Sequence, residues 1–178
     1  MKIGITCYPT YGGSGAVATE LGIDLADRGH EVHFISYAQP FRLDHFRERI
    51  FFHEVEMDQY PLFEHPPYSL ALAVAIHDAA RKQELDLVHV HYAIPHATSA
   101  WIAEEMLRGE QDLKIVTTLH GTDITLVGLH PSFQAITQFS ILKSSGLTCV
   151  SEFLKDRTVE DFSVPRERIR VIPNFVDP

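Results

Sequence analysis

The chain opens with a short apolar strand that runs straight into a glycine-rich turn, Lys2-Ile-Gly-Ile-Thr-Cys-Tyr-Pro-Thr-Tyr-Gly-Gly-Ser-Gly15, with a helical pattern directly behind it. Val17, Leu21 and Leu25 recur four apart, which predicts one buried helix face, and Gly29 sits where a C-terminal cap belongs. Glu31-Val-His-Phe-Ile-Ser-Tyr37 then reads as a second strand. A glycine-rich turn that opens a helix is suited to an anion, because its backbone N–H groups point outward and the helix dipole favours negative charge. The plain alternative is a tight turn that only joins strand to helix.

Gly13-x-Gly15-x-x-Ala18 fits half of the dinucleotide-binding fingerprint. The other half is an acidic residue at the end of the second strand to hold a ribose. That place reads Ser36-Tyr37-Ala38-Gln39, and Glu31 lies at the wrong end of the strand. A nicotinamide cofactor is therefore disfavoured, and no cofactor is expected.

The 178 residues suffice for one domain with its own core. A net charge of −9 argues against a nucleic-acid groove and against binding to an anionic membrane. No apolar run approaches the length of a membrane span. The first residues enter a strand at once, so no secretory signal is expected. Cys7 and Cys149 fall in predicted buried strands and read as packed thiols of a reducing cytoplasm.

Further strands are predicted over 50–55, 86–91, 114–120, 147–150 and 168–172. Between them Ser69 would cap a helix carrying Leu72, Ile76 and Ala80, and Pro95 would sit in the first turn of the helix that carries Trp101. Residues 132–145 and 152–161 also read as helical. Strands separated by helices imply an α/β fold, a doubly wound, mostly parallel, Rossmann-like sheet with helices on both faces. Ligands of such sheets bind beyond the carboxyl ends of the strands, where the strand order reverses. Those ends supply Tyr8 to Gly15, His91 to His96, Leu119 to Asp123, Ser151-Glu152 and Pro173-Asn174.

Histidines gather there. His89 and His91 share a face, and with His120 and Asp123 they would make a metal site and a metal-dependent hydrolase. No H-E-x-x-H or C-x-x-C spacing supports that reading, and no G-x-S-x-G elbow is present. The alternative packs His89 inside the sheet and leaves only His91 at the rim. Thr118 and His120 also lie two apart. Gly121 would let His120 stand clear of the backbone, and Asp123 reads as an N-cap.

Gly12-Gly13, His120-Gly121 and Pro173-Asn174-Phe175-Val176-Asp177 together resemble the N-terminal half of a retaining glycosyltransferase of the GT-B fold. Thr6-Cys-Tyr-Pro9, Pro40-Phe-Arg-Leu43, His89-Val-His-Tyr-Ala-Ile-Pro-His96 and Thr117-Thr-Leu-His-Gly-Thr-Asp-Ile-Thr125 resemble one branch of that family more closely. That branch transfers N-acetylglucosamine from UDP-N-acetylglucosamine to L-malate, the first step of bacillithiol biosynthesis. The resemblance implies an acceptor-binding domain over 1–173 and, over 174–178, the start of a hinge to a donor-binding domain beyond this chain. It implies that such a fragment alone is inactive. The face turned toward the second domain would be unusually apolar or concave for a monomer and could self-associate, so a homodimer is possible.

It also implies roles. Gly13, Ser14 and Gly15 would meet an acceptor carboxylate or a donor phosphate, Tyr92 and Thr118 would offer hydroxyls to malate, His120 would act at the reacting sugar as the catalytic residue, and Asn174 would touch ligand at the cleft. Arg42 is the cation expected for a dicarboxylate. A related enzyme with another acceptor would share this frame.

Overall fold

A computed structural model describes residues 1–10, 12–57 and 64–175. Seven strands form one sheet: β1 (Lys2–Thr6), β2 (Glu31–Ser36), β3 (Ile50–Glu54), β4 (Leu87–His91), β5 (Lys114–Leu119), β6 (Gly146–Cys149) and β7 (Ile169–Val171). Their order is β3-β2-β1-β4-β5-β6-β7, and every pairing is parallel. The alternation in the sequence thus yields the doubly wound, Rossmann-like sheet. Its order reverses between β1 and β4, so a crevice opens beyond the ends of those two strands.

The helices are α1 (Gly13–Asp27), α2 (Tyr68–Gln83), α3 (Thr98–Met106), α4 (Thr122–Thr125), α5 (Gln134–Lys143) and α6 (Glu152–Phe162). Helix α1 packs on one face of the sheet, where Ile3, Ile5, Val32 and Phe34 are buried with Ala18 and Ala26. Helices α2 and α3 cover the other face through Leu72, Ile76, Ala100 and Ala103, against Ile35, Val88, Val90 and Ile115. Helix α6 adds Leu154 and Phe162 beside Leu147 and Cys149. Ser151 starts α6 by accepting a hydrogen bond from the Leu154 N–H at 3.2 Å.

Several local expectations are corrected. The buried face of α1 is Gly15, Ala18, Thr19, Gly22 and Ala26, while Val17, Leu21 and Leu25 are half-buried. Small residues face inward because the helix seats very close to the sheet: a Cβ on Gly22 would lie 2.4 Å from Phe34 Cζ. Ser69 does not cap α2, which already starts at Tyr68 behind Pro67. Pro95 falls in an irregular turn, Ala93–Ala97, that precedes α3. The helix expected over 132–145 is shorter, and the one-turn α4 was not anticipated. Gly29 does follow α1 with φ 90, as a C-terminal cap requires. Of the motif ending the chain, Val176 and Asp177 lie outside the described residues, as do Tyr11 and part of the Pro-rich loop before Tyr68.

Candidate active site

The strand ends of β1, β4 and β5 meet at one rim of the sheet. From β1 the chain turns through Tyr8 and Pro9 into α1, whose first turn is Gly13-Ser14-Gly15. No side chain caps this helix among the described residues. A Cβ on Gly12 or Gly13 would meet nothing within 4 Å, so the side of the turn away from the protein is open. Gly15 differs: its Cβ would lie 2.7 Å from the Tyr8 carbonyl oxygen, so the helix start is pressed onto the strand-end loop. The first N–H groups of α1 have no partner within the helix and supply a positive end to the crevice.

Tyr92 leaves β4 with φ 88 and ψ 138, a conformation that costs an L-residue on the order of 1–3 kcal/mol. Three bonds hold it there. Its N–H donates to the Thr118 carbonyl at 2.9 Å, its own carbonyl accepts from the Ala97 N–H at 3.3 Å, and its hydroxyl donates to Ser14 Oγ at 2.9 Å. The twist turns the ring over the rim, with its centroid 5.1 Å from His120 and 5.6 Å from Tyr8.

His120 follows β5, and Gly121 behind it has φ 131, which few residues other than glycine adopt. Asp123 is not an N-cap. It is buried, and its carboxylate accepts from the N–H groups of His120 at 3.2 Å, Gly121 at 3.0 Å and Ala93 at 3.0 Å. One carboxylate therefore ties the loop after β4 to the loop after β5. Burial raises its pKa above the usual aspartate value, against the lowering effect of those three donors.

The histidines are stacked rather than arranged around an ion. His91 lies between His89, at 4.7 Å, and His120, at 5.1 Å. His91 Nδ1 and His120 Nε2 are 2.8 Å apart, and His89 Nε2 is 2.7 Å from Thr118 Oγ1. The order of burial reverses the expectation: His91 is fully buried and His89 only partly so. Burial pushes His89 and His120 down to about 4, and His91 well below its ordinary value. All three rings are neutral at pH 7. Among the described residues no group of three His, Cys, Asp or Glu is placed to hold a metal.

The remaining expected residues are more scattered. Thr118 is buried, and its hydroxyl is shared between His89 and Thr148 Oγ1, the latter at 2.7 Å. Arg42 is half-exposed and pairs with Glu20 on α1 at 2.7 Å. Asn174 stands exposed past β7, at the far edge of the sheet. At the end of β2, Ser36 donates its hydroxyl to the Cys7 carbonyl at 3.1 Å, so no acid waits there for a ribose.

A cleft of about 400 Å³ opens beside Tyr92, lined also by Tyr8, Ser69, Thr98, Asp123 and Phe133. Val127 and Ile136 complete an apolar wall that the sequence did not suggest. Gly13, Thr118 and His120 are absent from this lining. No lysine or arginine lines it among the described residues.

Residues 11–178 match Glycosyltransferase Family 4. Over 177 residues, 99% of this chain and 46% of the relative, the sequence is 51% identical to the N-acetyl-alpha-D-glucosaminyl L-malate synthase of Bacillus anthracis. A glycosyltransferase from Rickettsia africae superposes with a TM-score of 0.71 at 24% identity, over 97% of this chain and 42% of that one. The lipopolysaccharide outer core galactosyltransferase WaaB superposes with a TM-score of 0.70 at 13% identity, over 99% and 46%. The chain thus spans about half the length of the relatives it matches.

Proposed function

We propose that this chain, which belongs to glycosyltransferase family 4, is the acceptor-binding half of an enzyme that moves N-acetylglucosamine from UDP-N-acetylglucosamine to the hydroxyl of L-malate, with retention at the anomeric carbon. The 51% identity to a relative named for that product supports the substrates. The observation that carries the site is the convergence of the open first turn of α1, strained Tyr92 and neutral His120 at the point where the strand order reverses.

In this reading the N–H groups of Gly13, Ser14 and Gly15 receive a carboxylate or phosphate oxygen. Glycine at position 13 lets the ligand reach the backbone, since no side chain stands in front of it. The Tyr92 and Ser14 hydroxyls, already paired, offer one shared contact to malate. His120 hydrogen-bonds the sugar beside the reacting carbon. Its neutrality matters there, because an imidazolium would repel the positive charge that develops in an oxocarbenium-like transition state. Thr118 acts from behind, by holding His89, and Arg42 would have to exchange Glu20 for the ligand.

The donor-binding half is assigned beyond residue 178, with 1–173 as the acceptor domain and Asn174 at the start of the hinge. The leaving phosphate takes the acceptor proton, so no protein base is required. No described helix is long and apolar enough to cross a membrane. Cys7 and Cys149 are buried and unpaired, which suits a reducing cytoplasm.

The test is an acceptor screen of the full-length protein with UDP-N-acetylglucosamine, comparing malate, inositol phosphate and simple sugars. Transfer to malate above the others is the expected result. Transfer to another acceptor would keep the fold and the donor and overturn malate. The chain of residues 1–178 alone should show no transfer, because both halves must close on the substrates.

A further inference from the structure

We infer that His91 is a positioning residue that fixes His120 as a hydrogen-bond donor toward its ligand, with the His120 proton on Nδ1. The inference rests on the reading of His120 as the residue that meets the sugar, and it goes beyond that reading by assigning the proton.

His91 Nδ1 and His120 Nε2 are 2.8 Å apart, so one of them carries hydrogen and the other accepts. Two arrangements satisfy the bond. In the first, His91 carries its proton on Nδ1 and donates to His120 Nε2. His120 is then protonated on Nδ1, its free edge. In the second, His91 carries its proton on Nε2, and His120 donates from Nε2 and keeps a bare acceptor at its free edge.

The far side of His91 separates them. His91 Nε2 is buried and has no hydrogen-bond partner among the described residues. The second arrangement would place an N–H there with nothing to receive it, and orphaned buried N–H groups are rare in folded proteins. The first places only a lone pair there. His120, by contrast, is partly exposed, so either form of its free nitrogen can be satisfied from the crevice. The buried partner therefore dictates the choice and the accessible ring follows.

The surroundings keep the pair from becoming charged or turning over. His89 and His120 stack on the two sides of His91, with interplanar angles of 26° and 24°. The His91 carbonyl accepts from His96 Nδ1, which anchors the backbone at the strand end. Burial also holds all of these rings below their ordinary pKa. A donor at His120 suits a hydroxyl or carbonyl oxygen of a sugar. It excludes His120 as the base that removes the acceptor proton.

The experiment is long-range 1H–15N correlation spectroscopy of the chain with ring-labelled histidine, at neutral pH. It reads which ring nitrogen of each neutral imidazole holds the proton. His91 and His120 should both be Nδ1-protonated, and an Nε2-protonated His120 would overturn the inference whatever the enzyme's substrates are. His91→Asn, whose amide nitrogen can take the place of Nδ1, should preserve the His120 form. His91→Leu should lose it.

In the full-length enzyme His91→Leu should lower kcat by roughly tenfold or more with KM nearly kept, the size of one lost hydrogen bond to a developing charge. His91→Asn should restore most of it. Equal kcat in the two variants would overturn the positioning role. A fixed Nδ1 proton in a protein that transfers nothing to malate would instead count against the proposed substrates alone.

Discussion

The hydroxyl of Tyr92, at the end of β4, donates to Ser14 Oγ in the first turn of α1 at 2.9 Å. This bond spans the crevice between the two strands where the strand order reverses, and it belongs to a residue held at positive φ. It joins the segment that would receive an anion to the segment that carries the aromatic rim.

Removing either end should therefore have the same effect. Tyr92→Phe and Ser14→Ala should each lower stability by about 1 kcal/mol, the net worth of a typical hydrogen bond. The double variant should lose little more than either single one, because the two groups share the interaction. Urea denaturation of the four proteins measures this cycle. Additive losses would mean that the two side chains act separately, and that Tyr92 is held only by its backbone bonds to Thr118 and Ala97.

Much of this architecture could be read from the chain. The alternation of strands and helices implies a parallel sheet, and the strand ends place Tyr92, His120 and the glycine turn at one rim of it. What stayed hidden was mostly a matter of which side faces what. A period of two places His89 and His91 on one face, but it does not say which is covered, and the burial came out reversed. The fourfold spacing of Val17, Leu21 and Leu25 suggested their burial, yet the close seat of α1 admits only small residues. Arg42 is the cation expected for a dicarboxylate, but it pairs with Glu20, 22 residues away in sequence, a contact that local spacing does not reveal. In the apolar wall only Ile136 sits on a helix, α5; Val127 and Phe133 hang on irregular backbone, where Gly128 passes so near that a Cβ would lie 2.1 Å from the Asp123 carbonyl oxygen. No periodicity announces such a wall.

Two glycines of α1 should respond in opposite ways to alanine. In a helix interior alanine is favoured over glycine by about 1 kcal/mol. At Gly22 that gain is opposed by a Cβ 2.4 Å from Phe34 Cζ and 3.1 Å from Ile5 Cδ1, both fully buried. Overpacking of this kind costs about 1–3 kcal/mol, so Gly22→Ala should be net destabilising. At Gly13 the added methyl meets nothing, so Gly13→Ala should leave the melting temperature unchanged or slightly raised. In the full-length enzyme that same methyl stands in front of the helix N-terminus and should weaken use of the anionic substrate. Unimpaired kinetics in Gly13→Ala would remove the first turn of α1 from the site.

Acid should unfold this protein through its histidines. His89, His96 and His120 are held at about 4 by burial, and burial also lowers His33, His53 and His91. An exposed imidazole in the unfolded chain takes a proton near 6.5. Between about 6.5 and about 4 the unfolded chain thus binds more protons than the folded one, and proton binding favours unfolding. Stability should be fully present above pH 6.5 and fall as the pH drops toward 4. Asp123 and Glu104 work the other way, since burial raises both and protonation then favours the folded form, but two carboxylates oppose six rings. The urea midpoint at pH 5 should accordingly lie well below that at pH 7.5. An unchanged midpoint would mean that the stacked rings are hydrated and free to ionise. His120 would then enter catalysis as a mixture of charged and neutral forms, and the turnover of the full-length enzyme would bend near pH 6.5. With the ring held at about 4, no such bend from His120 should appear between pH 6 and 8.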